Sequence, residues 1–276
     1  MNACDLAATF GTANPRLVAQ TAVAEIWRVE QADGTPAALK RWHRPEMGNE
    51  GGGIALAEAV AGQGMVQVLA RGENSVLMEW LEGPPLGDLV RSGDDEAATI
   101  ALAATAHRLH GVRLSRPVQL SSLRRWYRAL FELRFTAEAR PLTRSLMREA
   151  ATLALKLLES QTTQRPLHGD LHHDNIHRTA RGDIAFDAKG LLGDPAFEYA
   201  NAFRNPVGAE ALMRHPATIR ARADIFATTC GVPRQRLLQW AATKCALSIA
   251  WRAEGRLTRD RELDLLAQLL RMARDG

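Results

Sequence analysis

At 276 residues the chain can bury one large core or two lobes sharing a cleft, and it is too long to be a disulfide-held miniprotein. Hydrophobic residues at 46% and charged residues at 24% fit a folded enzyme or binding protein and exclude a disordered or fibrous chain. The net charge of +4 is spread along amphipathic segments instead of gathered in a basic tract interleaved with aromatics, so neither nucleic acid nor membrane is expected as a partner.

Residues 1–82 read as strands with one helix. Arg16 to Gln20 and Val23 to Gln31 are extended candidates, and Asp33-Gly34 is a turn signal leading into Thr35 to Arg41. Glu50 to Ala61 is helix-like, although Gly51-Gly52-Gly53 weakens its first turn. Val66 to Arg71 and Ser75 to Leu81 make a second antiparallel pair around Gly72-Glu73-Asn74. Gly83-Pro84-Pro85 can continue neither ladder nor helix, and the boundary between residues 1–82 and 83–276 is placed there.

Beyond it the pattern is mainly helical, with helices predicted over Asp94 to His110, Ser122 to Phe135 and Leu142 to Glu159. An island from Pro166 to Ala188 reads as loop, strand, turn and strand. Three more helices are predicted near Pro216 to Thr229, Pro233 to Ala253 and Thr258 to Arg274, with Gly231 and Gly255 as stops. Trp126, Trp240 and Trp251 sit among apolar neighbours and read as core. The scattered cysteines, Cys4, Cys230 and Cys245, suggest free thiols filling a core in a reducing compartment. With no basic leader over Met1 to Phe10 and no run near the roughly 20 apolar residues that span a bilayer, a cytoplasmic location is expected.

The island carries the chemistry: His168-Gly169-Asp170-Leu171-His172-His173-Asp174-Asn175, then Asp187 twelve positions beyond Asn175. Phosphoryl transfer from a magnesium nucleotide needs a carboxylate to orient the acceptor hydroxyl and oxygen ligands to fix the metal on the phosphates. In that pattern Asp170 faces the acceptor, while Asn175 and Asp187 are the metal ligands. His168, His172, His173 and His177 could instead suggest zinc and a hydrolase, but the hard oxygen donors beside them favour magnesium. His172 and His173 are candidates for lining the acceptor site.

The stretches LHGDLHHDNI and FDAKGLLGDPAFEYANAFRNP resemble those of the aminoglycoside phosphotransferase-like kinases, in their streptomycin 6-phosphotransferase and hydroxyurea phosphotransferase branch. DGTPAALK, RGENSVLMEWLEG and LSIAWRAEG extend the likeness over most of the chain. The resemblance implies an α+β, bilobal, protein-kinase-like fold: a small antiparallel β-sheet lobe with one helix, and a larger helical lobe. It implies ATP as phosphoryl donor, with GTP as the alternative, Mg2+, and a small-molecule hydroxyl acceptor, with a monomer as the assumed unit. Streptomycin, phosphorylated at its 6-hydroxyl, is the expected acceptor, and hydroxyurea or another metabolite the alternative.

Lys40 matches the lysine that contacts the α- and β-phosphates, and Glu50 the carboxylate that orients it, in preference to Glu58. Glu79, Trp80 and Leu81, in a hinge running to Glu82, match the segment whose backbone binds the base. No glycine occurs in the Thr21-Ala22-Val23-Ala24 turn, where protein kinases carry a glycine-rich loop, which leaves room for a nucleotide-binding regulator without catalysis. Lys189 reads either as a catalytic cation facing the transferred phosphoryl or as a salt bridge to Asp194. Glu198 is a helix-start charge or a substrate contact, and Glu254, Asp260 and Asp264 are further acids for a cationic acceptor.

Overall fold

The computed structural model describes residues 2–45 and 47–275. Strands Ala13–Gln20, Ala24–Glu30, Pro36–Trp42, Val68–Arg71 and Ser75–Glu79 form one antiparallel sheet in which the third strand pairs with the last. That pairing joins the meander and the later hairpin, which the sequence predicts separately, into a single layer. The strands alternate as half-buried strands do. Trp27, Val29, Ala37, Leu39 and Leu77 pack on one face, while Ala24, Trp42 and Val76 pack on the other.

Each face has its own helix, so the expected single helix becomes two. Ala3–Thr9 lays Leu6 and Ala7 on the first face. Its start is fixed by a capping box, in which the Asn2 side chain accepts the N–H of Asp5 and Asp5 reaches back to the N–H of Asn2. Gly51–Val60 covers the other face, preceded by a 3₁₀ turn over Gly48–Glu50.

The chain leaves the sheet through Gly83, at φ 117, where a Cβ would lie 2.0 Å from the carbonyl oxygen of Arg178. Helices follow at Leu86–Arg91 and Asp95–Gly111. The helix predicted over 122–135 is two four-residue turns, Leu123–Trp126 and Arg128–Phe131, and a short strand, Arg134–Phe135. The break falls at Tyr127, which is fully buried with its hydroxyl 2.9 Å from Thr243 Oγ1. Pro141–Glu159, Pro216–Cys230 and Arg234–Arg252 form much as expected.

The last helix begins only at Leu263, because Arg256–Leu257 pairs in parallel with Arg134–Phe135 before it. Arg234–Arg252 runs through the middle of the larger core, against Pro141–Glu159, Leu263–Asp275 and the 3₁₀ turns of Pro195–Arg204. Trp240 is fully buried there, whereas Trp251 is 38% exposed and Cys4 lies on the surface, so neither of these fills a core. No helix among the described residues is long and apolar enough to cross a membrane.

Candidate active site

Alternation in Pro36–Trp42 turns Ala38, Lys40 and Trp42 toward the helical lobe. There the Lys40 ammonium lies 2.6 Å from Glu50 Oε2 and 2.9 Å from Asp187 Oδ1. Lys189 Nζ lies 3.1 Å from Glu50 Oε1 and 3.1 Å from Asp187 Oδ2, so each carboxylate is bridged by both ammoniums. Trp42 Nε1 also donates to Glu50 Oε2, and the Lys40 ammonium sits 5.1 Å from the Trp42 ring centroid. Burial pushes the Asp187 carboxyl up, but Lys189 and Lys40 outweigh it and hold the group below its ordinary value. For Lys189 burial works downward, and Asp187, Asp170 and Glu50 outweigh it, so its ammonium is retained more strongly than usual.

Two glycines make this quartet possible. A Cβ on Gly53 would lie 1.7 Å from the carbonyl oxygen of Ala188, and one on Gly52 would lie 3.1 Å from the carbonyls of Lys189 and Gly190. The helix therefore rests backbone to backbone on the Asp187–Gly190 segment, which brings Glu50 within reach of both lysines. The Gly-rich start that weakens this helix locally is a packing requirement. Asp187 itself is held at φ 60, a strained region for a residue with a Cβ.

The hairpin of Ile176–Thr179 and Gly182–Ala185 brings Asn175 and Asp187 close, since the N–H of Phe186 donates to the Asn175 carbonyl at 3.0 Å. The Asn175 amide nitrogen donates to the Asp170 carbonyl at 3.0 Å, and its Oδ1 accepts from no donor among the described residues. The loop before it is anchored from behind by Glu198, whose Oε2 accepts the N–H of His168 at 2.8 Å and whose Oε1 accepts that of Gly169 at 2.9 Å. Burial raises the Glu198 carboxyl, but the hydrogen bond and charge of His110, the charge of His168 and the Gly169 N–H bring it below its usual value. Glu198 is 1% exposed, so the expectation that it meets substrate is corrected: it shapes the loop instead.

Asp170 is oriented by residues the sequence reading does not single out. Asn201 Nδ2 donates to Asp170 Oδ1 at 2.8 Å, and Arg204 Nη1 in turn donates to Asn201 Oδ1 at 3.1 Å while its fork grips Glu262. Lys244 Nζ lies 3.8 Å from the same Oδ1, 2% exposed, with the Trp251 ring centroid 4.7 Å away. Burial raises the Asp170 carboxyl, while Lys244, His172, Lys189 and His168 pull it to a net value below the ordinary one. The available signal for Lys244 is that it is the single charge between Leu237 and Trp251.

Between sheet and helical lobe runs a cleft of about 460 Å³ with the quartet at one end. Its walls include Ile26, Ala38, Met78 and Phe186, and Glu79, Trp80 and Leu81 border it. The N–H groups of Trp80 and Leu81 have no backbone partner among the described residues. The Glu79 carboxylate turns outward to Arg181 and the N–H of Gln67. In the glycine-free turn, Thr21 Oγ1 accepts the N–H groups of Val23 and Ala24 and is used up internally.

Three of the four histidines have structural settings of their own. His168 pairs through Nε2 with the Phe186 carbonyl, His172 Nδ1 accepts the N–H of Asp174, and His173 is fully buried, against its expected place at the acceptor. No group of three or more His, Cys, Asp or Glu among the described residues could hold a metal ion. Asp194 is paired with Arg236 and Trp240, so the alternative bridge from Lys189 is not made. Asp260 is taken by Arg252 and Asp264 by Arg214. Glu254 sits exposed at φ 47 after the central helix, away from the quartet's ion pairs. Glu58 pairs with Arg116 and Arg71, on the side away from Lys40.

The sequence model of the aminoglycoside/hydroxyurea antibiotic resistance kinases matches residues 10–255. The chain is 38% identical to the streptomycin 3''-kinase of Klebsiella pneumoniae, over 81% of this chain and 82% of that protein. It is 32% identical to the streptomycin 6-kinase of Streptomyces griseus, over 83% and 75% respectively. In three dimensions it is similar to an aminoglycoside phosphotransferase from Streptomyces rimosus, with a TM-score of 0.58 and 19% identity over 88% of this chain and 96% of that one.

Proposed function

Because the chain belongs to the aminoglycoside/hydroxyurea antibiotic resistance kinase family, we propose that it transfers the γ-phosphoryl group of ATP, with magnesium, to a hydroxyl of a streptomycin-type aminoglycoside. The observation that carries this reading is the Lys40, Glu50, Asp187 and Lys189 quartet at the end of an apolar cleft, beside Asn175 and Asp170.

The donor set fits magnesium and a nucleotide. Magnesium is ordinarily held by one or two protein oxygens together with substrate phosphates, and Asn175 Oδ1 and Asp187 supply such a pair without a closed protein cage. Bound magnesium nucleotide supplies the phosphoryl group and the metal charge that offsets the triphosphate. In this reading Lys40, oriented by Glu50, contacts the α- and β-phosphates, and Lys189 faces the transferring group. The free N–H groups of Trp80 and Leu81 and the apolar walls receive the base, with the lobes dividing between residues 82 and 83. Asp170 Oδ2 would orient the acceptor hydroxyl and take its proton as the new O–P bond forms and the bond from the γ-phosphorus to the β,γ-bridging oxygen breaks, with ADP as the leaving group.

The motif resemblance favours the 6-hydroxyl of streptomycin, whereas the 38% identity to a 3''-kinase favours the 3''-hydroxyl. The decisive experiment incubates purified protein with magnesium, ATP or GTP, and streptomycin or hydroxyurea, following ADP or GDP release and locating the phosphate by phosphorus-proton NMR. Magnesium-dependent phosphorylation of streptomycin, lost in Asp170→Asn, is expected. Transfer to hydroxyurea alone would move the acceptor assignment, and undiminished transfer by Asp170→Asn would remove that residue from its role.

A further inference from the structure

Lys244 occupies the middle of the central helix, where every neighbour from Leu237 to Trp251 is uncharged. Burying an ammonium is costly unless a partner compensates it, so a lysine 2% exposed in such a helix calls for one. Among the described residues the one carboxylate within salt-bridge distance is Asp170, 3.8 Å away, beyond hydrogen bonding but close enough for strong attraction in a low-dielectric interior. The ammonium also lies over the Trp251 ring, 4.7 Å from its centroid.

Both Lys244 and Asn201 address Oδ1 of Asp170, and Asn201 is itself fixed by Arg204 and through it by Glu262. Oδ2 accepts from no donor among the described residues. One carboxylate oxygen is thus held and the other left for an incoming group.

We propose that Lys244 is a positioning residue for phosphoryl transfer: with Asn201 it fixes Oδ1 of Asp170 from inside the helical lobe, so that Oδ2 is the oxygen presented to the acceptor hydroxyl. The inference rests on the reading of Asp170 as the group that meets the acceptor. It assigns a task to a residue that packing alone does not need, since a methionine would fill the same space without a buried charge.

The test compares wild type with Lys244→Met and Lys244→Arg, reading magnesium-dependent ATP turnover with streptomycin and with water as the sole acceptor, together with nucleotide Kd and Tm. Lys244→Met is expected to fold with a Tm no lower than wild type and to bind nucleotide unchanged. Its kcat is expected to fall on the order of 10²-fold with little change in either KM, as for a misplaced reacting group, and Lys244→Arg to regain part of the rate. A Lys244→Met kcat within about threefold of wild type would overturn the inference while leaving the kinase reading intact, because threefold is well short of a positioning loss. Wild-type protein that neither transfers nor hydrolyses ATP would remove both together. Should the methionine variant fail to fold, Lys244→Gln, which keeps a polar head without charge, takes its place in the same comparison.

Discussion

The N–H of Gly169 is held at 2.9 Å by the carboxylate of Glu198, twenty-nine positions later in the chain and wholly inside the helical lobe. The second oxygen of the same carboxylate holds the N–H of His168. Two adjacent amides therefore need two acceptor oxygens, and only a carboxylate offers both.

Glu198→Gln places an NH₂ against one of those N–H groups and leaves a buried donor unpaired. A loss of about 1–3 kcal/mol of stability is expected, read as a lower midpoint in urea unfolding, along with a fall in kcat as the loop loosens. Because the Glu198 carboxyl sits below its ordinary value, the folded state binds fewer protons there than the unfolded chain. Its contribution is therefore present above the usual carboxylate range and lost as pH falls through it, and the variant should show a flatter acid limb.

Gly53→Ala tests the seam between helix and loop. Its Cβ would meet a backbone carbonyl at 1.7 Å, which no rotamer change can relieve. Destabilisation of about 3 kcal/mol or more is expected, with nucleotide affinity weakened as Glu50 is pushed off Lys40. Gly51→Ala is the control: its Cβ meets only Met47 Cβ at 3.7 Å, and a gain of about 0.4–1 kcal/mol from a stiffer unfolded chain is expected. Thermal unfolding of the pair decides it.

Lys40→Met should lower kcat/KM for nucleotide about 10²–10³-fold, the scale for removing one preorganised charge from a transferring group. Glu50→Gln should cost less, because Lys40 keeps its 2.9 Å contact with Asp187 Oδ1. Steady-state kinetics with varied ATP separate the two, and equal losses would mean that Glu50 does more than orient the lysine.

Activity and stability should part company at alkaline pH. Burial pushes the Lys244 ammonium down to about 8, against the pull of Asp170 and with Arg204 and Lys189 adding repulsion. Above that pH the ammonium is lost and kcat should fall, and Lys244→Arg should remove this limb. The folded state then binds fewer protons at this site than the unfolded chain, so the group's effect on stability is to raise it as pH climbs from about 8 toward the ordinary lysine value. A pH-rate profile and unfolding midpoints over the same range check both signs.

The local signals in the sequence were strongest where chemistry crowds into a short segment: the His168 to Asn175 loop and Asp187 are legible because their spacing is short. Lys40 and Glu50 needed a family resemblance, since nothing local ties a strand lysine to a helix carboxylate ten residues on. Asn201 and Lys244 stayed hidden because their partner, Asp170, is brought to them only by the helical lobe's packing. Glu198 reads as a helix-start charge or a substrate contact for the same reason. The helix expected over 122–135 failed at Tyr127, where burying one ring outweighs local helical pattern. Gly51-Gly52-Gly53 reads as weakness along the chain, while across it Gly52 and Gly53 make a fitted contact.

That contact bears on control. In protein kinases activity is switched by moving the helix that carries the lysine's carboxylate partner in and out of place. Here the first turn of the equivalent helix is docked main chain on main chain at Gly52 and Gly53, so sliding it past the Ala188–Gly190 segment would drive backbone into backbone. Any movement that took Glu50 off Lys40 would have to carry the loop after Asp187 along with it.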